Sequence, residues 1–217
     1  MPCVLERVEA VRRFRLASRS APTRELALTP TRWHVENVPT TRYLLIPRHT
    51  SERRAYIPMG YLDPEEMAGD SCLVVDNATL FHFGVFTSAM HMAWVRQVCG
   101  RLKSDYRYSA KLVYNNYPWP QNVTDAQKRR VEEAAQAVLD ARTQFPDATL
   151  ADLYDPNSMP SALRRAHDAL DRAVDRCYRT QPFTTERQRL EYLFALYEQL
   201  VAPLAPPAGR RSRRRQA

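Results

Sequence analysis

Tyr117-Pro118-Trp119-Pro120 divides the chain into two textures, and the contrast across it decides the fold. Downstream, Thr124 and Gln127 form a capping-box pattern. Ala126, Val131, Ala134, Ala135, Val138 and Leu139 then continue a helical stripe toward Phe145-Pro146. A second helix is expected from Pro160-Ser161, with Leu163, Ala166, Leu170, Ala173, Val174 and Cys177 on one face. A third is expected from Thr184 or Thr185, with Leu190, Leu193, Phe194, Leu196, Tyr197 and Leu200 apolar. With a brief turn near Leu150 to Tyr154, these suffice for a three-helix bundle.

Upstream, the periodicity shortens. Arg42 to Pro47, Ala55 to Met59, Ser71 to Val75 and Ala78 to Phe86 are runs rich in Tyr, Val, Ile and Phe. Pro47, Pro58, Asp63-Pro64, Gly69 and Asp76-Asn77 bound them, as turns bound strands. Thr87 or Ser88 caps an expected helix through Met90, Trp94, Val95, Val98 and Leu102, with Gly100 near its end. Residues 4–19 place Val4, Leu5, Val8, Val11 and Leu16 among five arginines, which predicts a basic amphipathic helix. The expected class is α+β: a small mixed sheet with helices, then the three-helix C-terminal bundle. The expected domains are residues 1–118 and 119–205, followed by a disordered basic tail over 206–217.

Charge is unevenly distributed. The net +8 (32 basic less 24 acidic) divides into +5 over residues 1–120, −2 over 121–209 and +5 in the arginine tail, so the bundle is not expected to be the main nucleic-acid surface. None of the 5 glycines sits in a phosphate-cradling pattern, which argues against nucleotide hydrolysis. Cys3, Cys72, Cys99 and Cys177 have no metal or redox spacing and read as small apolar residues. His34, His49, His82, His91 and His167 do not cluster with other ligands, and His82 and His91 read as hydrogen-bonded structural histidines, so no metal is expected. No apolar run approaches the ~20 residues of a membrane helix, Glu6 and Glu9 interrupt any secretion signal, and the expectation is a cytoplasmic protein with no membrane partner. Asn122-Val123-Thr124 is read as a helix start, not a glycosylation site.

No catalytic set is visible. Asn116-Tyr117-Pro118-Trp119 has Tyr where a base-extruding tetrapeptide needs Pro, and Pro146-Asp147 lacks the downstream partners of a nuclease. Arg101 to Tyr108 is more informative. If the segment is extended, Lys103, Asp105 and Arg107 share one face while Leu102, Ser104 and Tyr106 share the other. Donor, acceptor, donor can read a base pair: Lys or Arg donates to guanine O6 and N7, and Asp accepts from cytosine N4. The same residues could equally be a solvated charged turn. Arg48 and Asp70, at the ends of successive expected strands, form a second candidate pair. Arg42, Arg53, Arg54 and Lys111 are candidates for phosphate contacts. Tyr114, Tyr117 and Trp119 are expected to pack a chain crossing and not to stack on bases.

Several longer strings carry a resemblance. Thr41 to Pro47, Tyr56 to Leu62, Asn77 to Gly84, Ser88 to Trp94, Cys99 to Ser109 and Val113 to Pro120 resemble the C-terminal part of the MmeI-like family of type IIL restriction-modification enzymes. Ala151 to Pro156, Met159-Pro160 and Ala166 to Asp171 are similar to the helical C-terminal domain of that family, so the resemblance covers about residues 4–204. It implies a target-recognition domain plus a helical domain. In the family these follow a nuclease and an S-adenosylmethionine-dependent adenine-N6 DNA methyltransferase. Recognition residues would match Lys103, Asp105 and Arg107, implying a G:C pair with guanine on the strand read, and Arg48 with Asp70 would read another. Double-stranded DNA is the implied partner, and two arrangements stay open: a methyltransferase or nuclease chain supplies the catalytic domains, or the sequence is the remnant of a disrupted gene. The catalytic motifs and the cofactor site are not in this sequence, so no cofactor and no activity alone are expected. The alternative is a protein-interaction module with non-specific nucleic-acid binding through the basic tail.

Overall fold

The structure, a computed structural model, describes residues 2–33 and 38–204; His34 and the tail expected to be disordered lie outside the described residues. The chain divides into two compact units, residues 1–40 and 41–217. In the first, helix α1 (Pro2–Leu16) precedes α2 (Ala21–Glu25) and a 3₁₀ turn at Leu26–Leu28. Arg15 joins them, donating from its guanidinium to the carbonyls of Leu26, Thr29 and Arg32 at 2.9, 2.9 and 2.7 Å. α1 forms where a basic amphipathic helix is expected, yet it buries none of its residues, and Leu5 and Phe14 are 69% and 77% exposed. Its arginines interrupt the apolar positions, so no continuous stripe exists to pack.

The second unit contains two three-stranded sheets, and every pairing is antiparallel, where one mixed sheet was expected. The first has the order β3 (Gly60–Leu62), β1 (Tyr43–Pro47), β4 (Cys72–Asp76). The continuous apolar run Tyr43-Leu44-Leu45-Ile46 suits a central strand covered on both faces. Beyond Pro47 the chain passes through Arg48 into β2 (His49–Thr50), which leaves the first sheet. β2 pairs with β6 (Asp105–Arg107), itself paired with β5 (Gly100–Leu102).

Two expected strands are absent. Ala55 to Met59 buries Tyr56, Ile57 and Met59 without joining a ladder, because Pro58 interrupts the donors and pairing starts only at Gly60. The run expected as a strand over Ala78 to Phe86 contains helix α3 (Leu80–Phe86). A short apolar run does not distinguish a buried strand from a buried helix. Here Thr79 decides: its N–H donates to His82 Nδ1 at 3.1 Å, and its side chain accepts from the His82 backbone, closing a capping box.

The remaining helices start at the caps expected from the sequence. α4 (Ala89–Val98) is capped by Ser88, α5 (Asp125–Thr143) by Thr124 with Gln127, and α8 (Glu186–Val201) by Thr185; α7 (Ser161–Tyr178) follows Pro160. The turn near residue 150 is the single-turn helix α6 (Leu150–Leu153). α3 lies so close to α5 and α7 that a Cβ on Gly84 would come within 2.8 Å of Val131 Cγ1 and 3.2 Å of Leu170 Cδ1. α4 meets α8 through Trp94, whose ring lies 5.4 Å from Phe194 and 5.7 Å from Tyr197.

One hydrophobic core therefore runs across residue 118. Tyr178 bonds to Tyr117 Oη at 2.7 Å and to the Pro118 carbonyl at 3.1 Å, and Trp119 packs edge-on to Phe86. These aromatics hold a chain crossing, as expected, and Asn116 supports it by donating to the carbonyls of Lys111 and Leu112 in the π-helical turn Ala110–Tyr114. Buried Arg142 donates to the Met59 carbonyl at 2.7 Å and to Tyr154 Oη, which also bonds His167 Nε2 at 2.7 Å. Among the described residues, no helix is long and apolar enough to cross a membrane.

Candidate nucleic-acid interface

The β5–β6 hairpin places the central candidates. Leu102 pairs with Asp105, so Lys103 and Ser104 are its two-residue turn. Lys103 is in the left-handed region at φ 56°, a conformation that costs an L-residue about 1 kcal/mol. The extended run expected from residue 102 to 107 is therefore broken. Period-two alternation holds only after the turn, where Asp105 and Arg107 are exposed while Tyr106 and Tyr108 are buried. Lys103 projects from the tip, and Leu102, expected on the opposite face, is the cross-strand partner of Asp105 and shares its face.

Register supplies the rest of that face. His49 pairs with Arg107, which pairs with Gly100, so His49, Asp105, Arg107 and Leu102 present a donor/acceptor, an acceptor, a donor and an apolar group. Asp105 Oδ1 accepts from the Glu52 N–H at 3.1 Å, which orients the carboxylate. On the other face Arg101 lies 4.1 Å over the Tyr106 ring, donates to the Ser104 carbonyl at 2.8 Å and pairs with Glu52 at 3.5 Å. The hairpin is thus held in shape by Arg101 and Glu52, neither of which was singled out in the sequence.

Its base is anchored in the core. Tyr108 N–H donates to the Arg48 carbonyl at 2.7 Å, and Tyr108 Oη bonds His91 Nε2 at 2.9 Å. Burial pushes the fully buried His91 down to about 3 and raises Tyr108 well above its ordinary value. Among the described residues His91 Nδ1 has no partner, so its ring is a neutral strut.

Arg48 stands where the two sheets meet. Pro47 pairs with Cys72, Arg48 N–H donates to the Ser71 carbonyl at 2.9 Å, and Arg48 Nε donates to the Cys72 carbonyl at 3.2 Å. This brings Arg48 next to Ser71, one residue from exposed Asp70, and beside the His49–Arg107 pair. Four of the five base-reading candidates, Arg48, Asp70, Asp105 and Arg107, thus lie around one junction, with Lys103 at the tip. His49 joins them; no strand was expected at residues 49–50, and only the β2–β6 register reveals its position.

The phosphate candidates are scattered. Arg53 and Lys111 are exposed, whereas Arg54 is committed to Thr50 Oγ1 at 3.3 Å and the Ala151 carbonyl at 3.5 Å. Arg42 lies at the opposite end of β1 from Arg48, about 20 Å away at ~3.3 Å per residue. There it covers the Tyr61 ring at 4.7 Å and approaches Asp63 at 3.9 Å.

The other sequence candidates have structural tasks. His82 completes a helix cap, and His91 and His167 are buried hydrogen-bonded residues, both held near 3 by desolvation. Cys99 and Cys177 are buried, Cys72 is partly buried and Cys3 is exposed. No group of three or more His, Cys, Asp or Glu side chains among the described residues could hold a metal ion.

Comparison with known proteins is specific. Residues 1–121 match the model for the MmeI target recognition domain and residues 123–205 that for the MmeI C-terminal domain. DNA methyltransferase A of Bacillus subtilis (strain 168) is 39% identical over 200 residues, which are 92% of this chain and 22% of the relative. The solved structure of the type IIL restriction-modification enzyme MmeI in complex with DNA superimposes with a TM-score of 0.83 at 44% identity. That match covers 93% of this chain and 27% of the other. The chain thus spans about a quarter of the length of these relatives. With both family models matched in tandem, the chain belongs to the MmeI family, as its target recognition and C-terminal domains.

Proposed function

We propose that this chain recognises a DNA target sequence through the exposed face of the β2-β6-β5 sheet, as the recognition part of a type IIL restriction-modification system. The carrying observation is the hairpin geometry. Asp105 and Arg107 alternate outward on a strand whose buried residues anchor it, and Asp105 has one oxygen fixed by Glu52. A two-stranded ribbon of this size fits the major groove of B-DNA. In this reading Lys103 or Arg107 donates to guanine O6 and N7, and the free oxygen of Asp105 accepts from cytosine N4. Arg48 with Asp70 reads a neighbouring pair. Arg53 and Lys111, both exposed, contact phosphates, which set register and contribute salt-dependent affinity.

Adenine-N6 methyl transfer with S-adenosylmethionine, and cleavage, belong in this reading to a methyltransferase or nuclease portion acting with the chain in the cytoplasm. This chain supplies the address. Selection from a randomised duplex pool by the purified chain, read by fluorescence anisotropy and sequencing, tests the assignment. Enrichment of a short site is expected, with its G:C preference at one position altered by Lys103→Glu/Asp105→Arg. Binding with no enrichment, fading uniformly with salt, would overturn it.

A further inference from the structure

A near-neutral bundle is a poor ligand for polyanions on average, but its charges are not placed on average. Several of its acids have tasks within the fold. Asp171 accepts from Tyr56 Oη and the Ala89 N–H, both at 2.7 Å, and Asp175 holds Arg189. Asp152 caps α6, Glu186 pairs with Arg96 and Glu191 with Arg187. Several arginines are left over, and three of them converge.

Between α5 and α7 lies a surface groove of about 190 Å³, lined by Gln127 and Arg130 from α5 and by Ala169, Arg172, Ala173 and Arg176 from α7. Ala169 and Ala173 keep it open, and Arg172 and Arg176, one helical turn apart, stand along one side. Gln127 fixes the corner. Its Nε2 donates to the Arg176 carbonyl at 2.7 Å, while its Oε1 accepts from the Thr124 N–H at 2.9 Å. Helical spacing offers Glu133 to Arg130 and Asp168 to Arg172. Yet among the described residues none of the three arginines has an ion pair or side-chain hydrogen bond. Three cations around one small groove repel one another, an arrangement that an anion relieves. Guanidinium forks match phosphate oxygens.

We propose that this groove is a phosphate-binding site, formed by Arg130, Arg172 and Arg176, separate from the base-reading hairpin. Its ligand is either a backbone phosphate of bound nucleic acid or a free phosphate-bearing small molecule. The first source rests on the DNA-recognition reading above and the second does not.

The test compares the full chain with Arg130→Gln/Arg172→Gln. A control, Arg129→Gln/Arg164→Gln, removes the same charge from positions that do not line the groove. Binding to duplex DNA is measured by anisotropy across a salt series, and binding of inorganic phosphate and pyrophosphate by calorimetry. If the groove holds a DNA phosphate, the slope of log K against log salt falls by about 1 to 2 in the groove variant, at ~0.9 per lost contact. The control leaves it nearly unchanged. If the ligand is a small molecule, pyrophosphate binds the parent and not the groove variant, while the DNA slope stays the same. The proposal is overturned if the groove variant matches the control in both arms. Sequence preference among duplexes is scored in the same samples. A reduced slope with intact preference separates the groove from the hairpin, and loss of preference in the parent would count against the recognition reading alone. Thermal melting of each variant verifies folding; should Arg130→Gln/Arg172→Gln unfold, Arg176→Gln is read in its place.

Discussion

Acidification should destabilise this protein well above the pH at which carboxylates protonate, and buried histidines are the cause. His91 and His167 are fully buried, and desolvation lowers both from 6.5 to about 3, with Arg142 adding to the effect at His167. The unfolded chain binds a proton at each as pH falls through 6.5, while the fold keeps both rings neutral. Their contribution is therefore complete above 6.5 and lost as pH falls toward 3. At about pH 5 each accounts for about 2 kcal/mol, from ~1.4 kcal/mol per unit over the span below 6.5. His82, also lowered by burial, acts in the same direction. Asp171 opposes them. Burial raises its carboxyl from 3.8 to about 6, so the folded state takes up that proton first and gains about 1 kcal/mol by about pH 5. The net loss between about pH 7.5 and about pH 5 is then about 3 kcal/mol, a large part of a typical stability of ~5–15 kcal/mol. Urea unfolding at a series of pH values, followed by tryptophan fluorescence, measures it. His91→Gln keeps a polar partner for Tyr108 but cannot titrate, so its pH slope should shrink by about 2 kcal/mol over the same interval whatever its stability at neutral pH. A flat profile from 7.5 to 5, or an undiminished slope in His91→Gln, would refute the argument.

Two further substitutions test the packing and the hairpin separately. Lys103→Gly removes a left-handed lysine, so the urea midpoint should stay level or correspond to a gain of up to about 1 kcal/mol, while sequence preference at one base pair weakens. A loss of stability would show that the lysine side chain supports the turn. Gly84→Ala sets a helix-propensity gain of about 1 kcal/mol against overpacking of about 1–3 kcal/mol where the new methyl meets Val131 and Leu170. The expected result is a lower urea midpoint, a net loss of up to about 2 kcal/mol; a higher midpoint would mean that α3 slides away from α5 at little cost.

These outcomes bear on what the sequence discloses. Helix caps are local, and Ser88, Thr124 with Gln127, and Thr185 could be read because the residues that satisfy the first N–H groups lie within three positions of them. Leu80 to Phe86 misleads because its aromatic and β-branched residues suit a strand, and its helical state is set by the Thr79–His82 cap and by contact with Val131 and Leu170, far along the chain. A site assembled from separate strands is harder still to read. Arg48 and Asp70 were paired by their places at strand ends, and the Pro47–Cys72 register brings Arg48 against Ser71, the residue after Asp70. His49 opposite Arg107 depends on β2 leaving one sheet for another, for which a two-residue strand carries no periodic signal.

If the hairpin reads DNA as proposed, the same distinction would let its specificity change while the fold persists. Along β6 and the residue that follows it, the inward residues Tyr106 and Tyr108 carry the packing, and Tyr108 ties the strand to His91 and to the Arg48 carbonyl. Of the outward residues Asp105 and Arg107, only the Asp105 carboxylate bonds within the fold, at the Glu52 N–H, and the Lys103 side chain has no partner among the described residues. In the proposed reading, packing and base contact thus fall on alternate positions over residues 105–108. Exchanging an outward residue should alter which base pair is preferred at a cost to stability of a few tenths of a kcal/mol, the usual range for exposed positions. Exchanging an inward tyrosine should cost several kcal/mol and remove recognition at every base pair together. A substitution at 105 or 107 that unfolded the chain would break this division of labour.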